Sequence, residues 1–229
     1  MSLTTETGRN WFINWYGLQE GHSHDITDKQ LEQLDRFKEN LLDWNNRMNL
    51  TAITDDEGVW QKHFSDSLTL LPFLPPQSGS PLRMIDVGCG AGFPGLPVKI
   101  MRQDIFMTML DSLRKRIFFL EDTISRLNLK DIECIHDRAE DLAKKSEYFR
   151  QYDICTSRAV ARLDKLCGWC LPFVKDNGLF LAMKGPDVAA ELEEAMPVIC
   201  KMGAEVAEVR LIEILPGMAH SIVAIKKCG

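Results

Sequence analysis

The sequence predicts an α/β protein built on a seven-stranded, mostly parallel sheet, with helices on both faces and a helical segment in front of it. Two observations support this class. From Leu82 onward, short apolar runs alternate with segments of helical spacing, which is typical of parallel strands joined by right-handed helical crossovers. The last two apolar runs have no helix between them, so we expect the final two strands to form an antiparallel hairpin.

The first part of the chain, residues 1–81, is predicted to form an N-terminal helical cap that packs on the unit formed by residues 82–229. A capping-box pattern begins at Thr27, and apolar residues continue at helical spacing to about Asn46. Further helical structure is predicted over residues 56–73. Several prolines and a glycine then indicate a linker before the first strand.

The elements of the second unit follow from apolar runs of strand length and from the helical patterns between them. The predicted strands cover residues 82–87, 105–110, 132–136, 152–156, 178–184, 205–213 and 221–226. The predicted helices begin near Pro94, Leu113, Leu163 and Val188.

The composition is that of a soluble globular chain. With 229 residues, of which 45% are hydrophobic and 26% charged, it can bury the core of one large α/β domain. No apolar run approaches the roughly 20 residues of a membrane span, and the first residues lack the pattern of a signal peptide. We therefore expect a cytoplasmic protein without a membrane partner. The sequence leaves the oligomeric state open, and we favour a monomer.

The cysteines favour a reducing compartment. There are seven, an odd number scattered among apolar neighbours, which argues against a disulfide framework. Cys167 and Cys170 have the spacing of a redox or zinc pair, but no second such pair is present to complete a zinc site. We interpret both as core residues and expect no bound metal.

A glycine-rich loop follows the first predicted strand. Asp86 ends that strand, and Gly88, Gly90 and Gly92 follow at every second position. Glycine reaches positive φ without strain and lets a backbone approach a ligand closely. The dinucleotide fingerprint needs a third glycine where Phe93 stands. The loop therefore suits a cofactor with an amino-acid end and a nucleoside end but no pyrophosphate, such as S-adenosylmethionine; the alternative is a tight strand-to-helix turn.

A second acidic residue supports a nucleoside site. Asp111 ends the second predicted strand, 19 residues after Gly92. Adjacent parallel strands would point the glycine loop and Asp111 into one crevice, where a carboxylate can accept hydrogen bonds from both ribose hydroxyls. The alternative for Asp111 is the cap of the following helix.

Basic residues gather near the predicted strand ends, although the formal net charge of −6 argues against a protein that coats nucleic acid without specificity. The ligand-binding side of an α/β sheet is the side on which strands end. These residues therefore indicate a local nucleic-acid surface, or else ordinary solvated helix faces. They are Arg114, Lys115, Arg116, Arg138, Arg158, Arg162, Lys165 and Lys184.

Several motifs of the chain form one recurrent set. W-N-x-x-x-N-L-T from Trp44 and D-S-x-x-K-R from Asp111 are the most specific. The other segments are residues 63–67, 86–97, 119–120, 138–140, 157–159, 184–185 and His220. In this collinear order, over about four-fifths of the chain, they resemble one family, the bacterial small-subunit ribosomal RNA guanine-N7 methyltransferases, also called the glucose-inhibited division protein B family.

The resemblance implies a Rossmann-like class I methyltransferase that transfers a methyl group from S-adenosylmethionine to N7 of one guanine in 16S rRNA, near the decoding centre of the small ribosomal subunit. It implies a methionine site around Gly88 and Phe93, a ribose site at Asp111 and an adenine site near Ala139 and Glu140. The expected cofactor residues are Asp86, Gly88, Gly90, Gly92, Phe93, Asp111, Ser112, Ala139, Glu140 and Arg158. The expected RNA-binding residues are Arg114, Lys115, Arg116, Lys184 and His220.

The implied chemistry needs no general base, because guanine N7 carries a lone pair and no proton. We expect positioning of the reactants to supply most of the rate enhancement, with Arg158 and Lys184 as candidates for holding the base near its O6 acceptor. Arg158 can equally be a structural ion-pair partner. Phe93 is a candidate stacking surface for RNA or a residue that packs over the glycine loop.

Other functions remain open at this point. Cys155, at the end of the fourth predicted strand, lies where a pyrimidine-C5 methyltransferase has its nucleophile, but its apolar strand favours a core position. The remaining alternatives are an NAD-linked oxidoreductase, a methyltransferase for a small molecule or a protein, and a non-catalytic RNA-binding module.

Overall fold

The computed structural model describes residues 7–19, 25–77, 79–158 and 160–229. Ala159, part of one of the matching motifs, lies outside these ranges. Within them, seven strands form a single sheet with the order β3-β2-β1-β4-β5-β7-β6. The strands are β1 (Leu82–Val87), β2 (Ile105–Asp111), β3 (Ile132–His136), β4 (Tyr152–Arg158), β5 (Val174–Lys184), β6 (Ala204–Leu215) and β7 (Met218–Lys227).

The sheet has the predicted topology. β1 to β5 pair in parallel, and β7 lies antiparallel between β5 and β6. The main difference is that β5 begins at Val174, where the sequence predicted a loop up to Gly178. Val174 pairs with Tyr152, the register then shifts, and Asn177 has a φ of 63°. The polar residues between Val174 and Gly178 therefore form an irregularity within the strand rather than a loop before it.

The helices in chain order are α1 (Gly8–Gly17), α2 (Asp28–Asn45), α3 (Asp56–Gly58), α4 (Asp66–Leu68), α5 (Gly95–Met101), α6 (Arg114–Leu127), α7 (Ala139–Leu142), α8 (Leu163–Cys170) and α9 (Ala189–Lys201). A π-helical segment, Val59–Ser65, joins α3 to α4, and 3₁₀ turns form at Leu71–Phe73 and Leu171–Phe173. The sequence did not predict α1, α7 or the π-helical geometry.

The predicted capping box starts α2. The Thr27 hydroxyl accepts a hydrogen bond from the Gln30 amide at 3.3 Å, and the Gln30 side chain accepts one from the Thr27 amide at 2.9 Å, so two free amides at the helix start are satisfied. Farther along, α2 is fastened to α6, because Trp44 donates to Asp122 at 2.8 Å.

Two hydrophobic clusters cover the two faces of the sheet. On one face, α5 and α6 share a buried cluster with the helices that precede β1. On the other face, α7, α8 and α9 pack over a second cluster, which contains Cys155, Cys167 and Cys170. The helices before β1 therefore lie directly against the elements that follow the glycine loop. The division of the chain at residue 81 stays a prediction.

The strand order places a crevice at the carboxyl end of the sheet. The crossovers turn in opposite directions on either side of β1, toward β2 on one side and toward β4 on the other, and such a switch point is where open α/β sheets bind ligands. None of the helices in the described part of the chain is long and apolar enough to cross a membrane.

Candidate active site

The glycine loop after β1 has a backbone that requires glycine. Gly88, Gly90 and Gly92 have φ values of 72°, 56° and 89°, which are strained for other residues. Space is also restricted, because a Cβ on Gly88 would lie 2.7 Å from Val160 and one on Gly92 would lie 2.6 Å from Leu96. The Gly88 amide donates to the Leu110 carbonyl at 2.8 Å. The loop is thus held against the end of β2.

Asp86 lies beneath this loop and is fully buried. Its Oδ2 accepts a hydrogen bond from the Gly95 amide at 2.9 Å, whereas its Oδ1 has no hydrogen-bond partner among the described residues. Burial raises the pKa of Asp86 to about 7, against the opposing effects of the Gly95 amide and Arg158. A carboxyl group in this state becomes fully ionised when a cation is bound nearby.

Asp111 connects the loop to α6. Its Oδ1 accepts from the Leu113 amide at 2.8 Å, and its Oδ2 accepts from the Gly90 amide at 2.9 Å and from Arg116 at 3.2 Å. Asp111 is not the cap residue of α6, because that position belongs to Leu113. A carboxylate has about four acceptor positions, so capacity remains for a ligand hydroxyl.

Two cavities meet at Asp111. The first, of about 340 Å³, lies over the glycine loop, and the second, of about 260 Å³, lies beside α7. Both are lined by Gly88, Asp111, Ser112 and Val160. Together they form an elongated site with Asp111 near its middle.

Most residues of the predicted cofactor set line these cavities. Asp86, beneath the loop, and Gly92, within it, line neither cavity. The first cavity is lined by Gly88, Gly90, Phe93, Asp111, Ser112 and Arg158. The second has Ala139 and Glu140 on its wall.

Arg158 is held at the wall of the first cavity. It donates to Asp66 Oδ2 at 2.8 Å and to His63 Nδ1 at 3.2 Å, and its guanidinium carbon lies 5.0 Å from the centre of the Phe93 ring. The His63 ring stacks on the same Phe93 ring at 4.3 Å. Burial, together with the charge of Arg158, lowers the pKa of His63 to about 4. The cavity therefore faces a fixed cation beside a neutral imidazole.

Asp66 links this wall to β7. Its Oδ1 lies 2.9 Å from His220 Nδ1, and His220 Nε2 lies 3.1 Å from the Thr69 hydroxyl. Burial favours the neutral carboxyl, but the hydrogen bond from His220 and the charge of Arg158 outweigh it and lower the pKa of Asp66. His220 is buried and lines neither cavity.

The structure does not bring the five predicted RNA-binding residues together. Arg114 and Lys115 are exposed at the start of α6, while Arg116 lines the first cavity. The ammonium group of Lys184 lies 2.7 Å from Glu191 and donates to the Ala161 carbonyl at 2.8 Å. Lys184 thus holds the segment before α8 and does not line either cavity.

Phe93 is 4% exposed, so in this conformation it packs over the glycine loop, between Arg158, His63 and the helices before β1. Sequence reasoning did not identify several residues of the cavity walls. Leu50, Thr51 and His63 lie on the walls and belong to matched motifs, which are the signal that pointed to these segments. Asp66 belongs to the same motif as His63 but lines neither cavity. The walls also include Val160 and Trp169.

The family model described as rRNA small subunit methyltransferase G matches residues 30–214. The chain belongs to this family. A small-subunit rRNA methyltransferase G of Clostridium botulinum, strain Loch Maree, is 45% identical over 204 residues, 89% of this chain and 84% of the relative. One from Alkaliphilus oremlandii is 44% identical over 211 residues, 91% and 87% of the two chains. Membership confirms the family that the motifs indicated and methyl transfer to rRNA as the activity.

The fold is confirmed independently by solved structures. M. jannaschii TYW2 in complex with AdoMet superposes with a TM-score of 0.55 at 15% identity, covering 76% of this chain and 78% of that chain. The chain thus has the predicted Rossmann-like class I fold. Among the residues described, no cluster of three or more His, Cys, Asp or Glu side chains suits a metal ion.

The residues of the two cavities fit an S-adenosylmethionine molecule. Asp86, buried beneath the glycine loop, has one oxygen without a hydrogen-bond partner among the described residues, and a carboxylate at this position complements an α-ammonium group. Asp111 keeps one acceptor position for a ribose hydroxyl. The second cavity has apolar walls from Leu110, Ala139 and Trp169, which suit a purine ring.

Proposed function

We propose that this protein, acting as a monomer in the cytoplasm, transfers the methyl group of S-adenosylmethionine to N7 of a specific guanine in the 16S rRNA of the small ribosomal subunit. The observation that carries the proposal is the pair of cavities that meet at Gly88 and Asp111. Arg158 and His63 line the first cavity, and we call them, together with Asp66 and His220, the Arg158 wall. Such a site accommodates an amino-acid end, a ribose and an adenine in sequence. It also leaves room beside the reacting end for an acceptor base.

Each part of the site has a role in the proposal. The glycine loop and Asp86 bind the methionine end, and Asp111 with Ser112 binds the ribose. Ala139 and Glu140 bind the adenine, against Trp169. When bound, S-adenosylmethionine supplies an electrophilic methyl group.

The protein contributes position and electrostatics rather than proton transfer. Guanine N7 needs no base. In-line alignment of two bound reactants lowers the activation barrier by about 7 kcal/mol. Asp66 and His63 hold the guanidinium of Arg158 in its orientation. In the proposal it attracts the electron-rich edge of guanine, where O6 is an acceptor.

The five residues predicted to bind RNA differ in how exposed they are, and in the proposal they have different roles. Arg114 and Lys115 are exposed at the start of α6 and suit phosphate contacts, whereas Arg116 lines the first cavity. In this arrangement Lys184 and His220 do not contact RNA. Lys184 holds the segment before α8, and His220 holds Asp66. Their contribution to RNA binding is therefore indirect in the proposal.

Calorimetry with S-adenosylmethionine and a methyl-transfer assay test the proposal together. The assay uses methyl-labelled cofactor and three substrates: naked 16S rRNA, protein-bearing assembly particles and whole small subunits. We expect cofactor binding at one site and label in 16S rRNA from at least one substrate. Binding of NADH without binding of S-adenosylmethionine, or label confined to protein or to a small molecule, would contradict it.

A further inference from the structure

The hydrogen bonds around His63 determine which of its nitrogens carries the proton. Arg158 approaches His63 Nδ1 at 3.2 Å, and a guanidinium group can only donate. Nδ1 is therefore the acceptor, and the hydrogen of the neutral ring resides on Nε2. Burial and the Arg158 charge, which lower the pKa of His63 to about 4, keep the ring neutral at physiological pH.

This tautomer determines the role of the neighbouring threonine. Thr51 Oγ1 lies 2.8 Å from His63 Nε2 and must accept its hydrogen. The same oxygen also accepts from the Ile53 amide at 3.0 Å. Both lone pairs of the hydroxyl are then used, and its own hydrogen has no acceptor among the described residues.

Thr51 lines the first cavity. Its backbone is fixed, because the Asn45 side chain accepts from the amides of Leu50 at 2.8 Å and Thr51 at 2.9 Å. The wall that contains Thr51 and His63 comes from the segment before β1, not from the glycine loop. A donor without an acceptor among the described residues is thus held in place at the first cavity, on a segment separate from the glycine loop.

We propose that Thr51 is a specificity-determining residue that donates its hydroxyl hydrogen to an acceptor oxygen of a bound ligand, namely O6 of the target guanine. This inference rests on the proposed function. The chain of contacts from Asp66 through Arg158 and His63 to Thr51 sets the direction of the donor. Adenine also has an N7, but it carries an amino group, a donor, in place of O6. Contact with N7 alone cannot distinguish guanine from adenine. A donor at Thr51 distinguishes them at position 6 and disfavours adenine.

An acceptor oxygen is present both in guanine, at O6, and in the carboxylate of S-adenosylmethionine. The experiment therefore has two arms, one for each ligand. Thr51→Val removes the hydroxyl while keeping the shape, and Thr51→Ser restores it. One arm measures the affinity of each variant for S-adenosylmethionine by calorimetry. The other measures kcat/KM on small subunits reconstituted with guanine or with 2-aminopurine, which keeps N7 but lacks O6, at the methylated position.

We expect Thr51→Val to lower kcat/KM for the guanine substrate roughly 10- to 100-fold, to leave the low activity on 2-aminopurine unchanged, and to leave the cofactor affinity unchanged. Thr51→Ser should recover most of the loss. An equal loss on both bases, or a loss of cofactor affinity, would overturn the assignment to O6. If the wild type methylates neither substrate, the proposed function fails instead.

The matched control is Thr123→Val. The Thr123 hydroxyl accepts a hydrogen bond from Asn40 and donates one to the Phe119 carbonyl, and it is buried between α2 and α6. This variant should lose thermal stability while keeping the wild-type preference for guanine over 2-aminopurine. If the control changes that preference to the same extent as Thr51→Val, a general structural effect explains both variants and the inference is wrong.

Discussion

At the scale of single residues, the sequence indicates where the side chains of the site lie along the chain. It does not indicate which hydrogen bonds and ion pairs they form. Asp111 was identified from an acid at the end of a strand. Its bonds to the Gly90 amide and to Arg116 depend on the loop conformation, which local sequence does not specify. The same holds for Thr51, since its role follows from a tautomer of His63 set by Arg158, 95 residues away in sequence.

Asp111→Asn should weaken the binding of S-adenosylmethionine about 10- to 100-fold, because hydrogen bonds to a charged acceptor contribute roughly 1.5–3 kcal/mol. Isothermal titration calorimetry measures the effect. The control is Asp104→Asn, which removes a carboxylate paired with Arg102 outside both cavities, and it should bind the cofactor as the wild type does. Unchanged affinity of Asp111→Asn would remove this residue from the cofactor site.

Gly88→Ala should destabilise the protein by roughly 1–3 kcal/mol, because the new Cβ meets Val160 at 2.7 Å and the φ is 72°. Gly168→Ala is the matched control. That glycine lies within α8, and nothing lies within 4 Å of an added Cβ, so the substitution should stabilise by about 0.5–1 kcal/mol. Urea denaturation measures both, and effects of the same sign would contradict the account of the loop.

At the scale of elements, local patterns predicted those helices and strands whose signals lie within one segment. The capping box at Thr27 and the alternation after Leu82 are such signals, and both gave elements that the structure contains. The π-helical segment Val59–Ser65 was not predictable from spacing. Its buried side chains Trp60, His63 and Phe64 pack against α1, α2 and the glycine loop, so its geometry follows from tertiary contacts.

The contact between α2 and the glycine loop leads to a prediction for Phe37. This side chain is fully buried and its ring lies 5.1 Å from that of Phe93. Phe37→Ala should cost about 3–5 kcal/mol of stability and also weaken cofactor binding, because Phe93 loses its support. Glu39→Ala, at an exposed position of α2, should change stability by less than about 0.5 kcal/mol. A Phe37→Ala protein that is destabilised but binds the cofactor normally would separate α2 from the site.

At the scale of the whole molecule, two buried titratable groups near the crevice, His63 and Asp86, make the free energy of unfolding depend on pH with opposite signs. The pKa of His63 is lowered from 6.5 to about 4, so between these values the unfolded chain binds more protons and stability rises with pH. The pKa of Asp86 is raised from 3.8 to about 7, so the folded chain binds more protons in that window and stability falls as pH rises. The two effects oppose each other across most of the acidic range.

Variants separate the two effects. Relative to wild type, His63→Gln should gain stability as pH falls from 6.5 to 4, by up to about 3 kcal/mol for a pKa shift of this size. Asp86→Asn should instead gain relative stability as pH rises from 4 to 7. Urea unfolding at half-unit pH steps gives both differences. Parallel profiles for the two variants would contradict the assigned protonation states.

The fold class and the parallel and antiparallel strand directions could be predicted from the sequence, because they follow from the alternation of strand and helix patterns. The order of the strands in the sheet was not predicted. A shared crevice for the glycine loop and Asp111 was predicted from acids at the ends of two strands, and both line one cavity in the structure. The Arg158 wall could not be predicted, since it joins residues from the segment before β1, from β4 and from β7. The guanine acceptor is part of the proposal, where it rests on the family, and in the proposal its recognition depends on that wall.

The central claim is that this crevice brings S-adenosylmethionine to guanine N7. The most direct test digests 16S rRNA from small subunits incubated with the protein and methyl-labelled cofactor, and separates the labelled nucleosides. The account predicts that the label is in 7-methylguanosine alone, and that it is strongly reduced with Asp111→Asn. Label in any other nucleoside, or undiminished 7-methylguanosine from that variant, would contradict it.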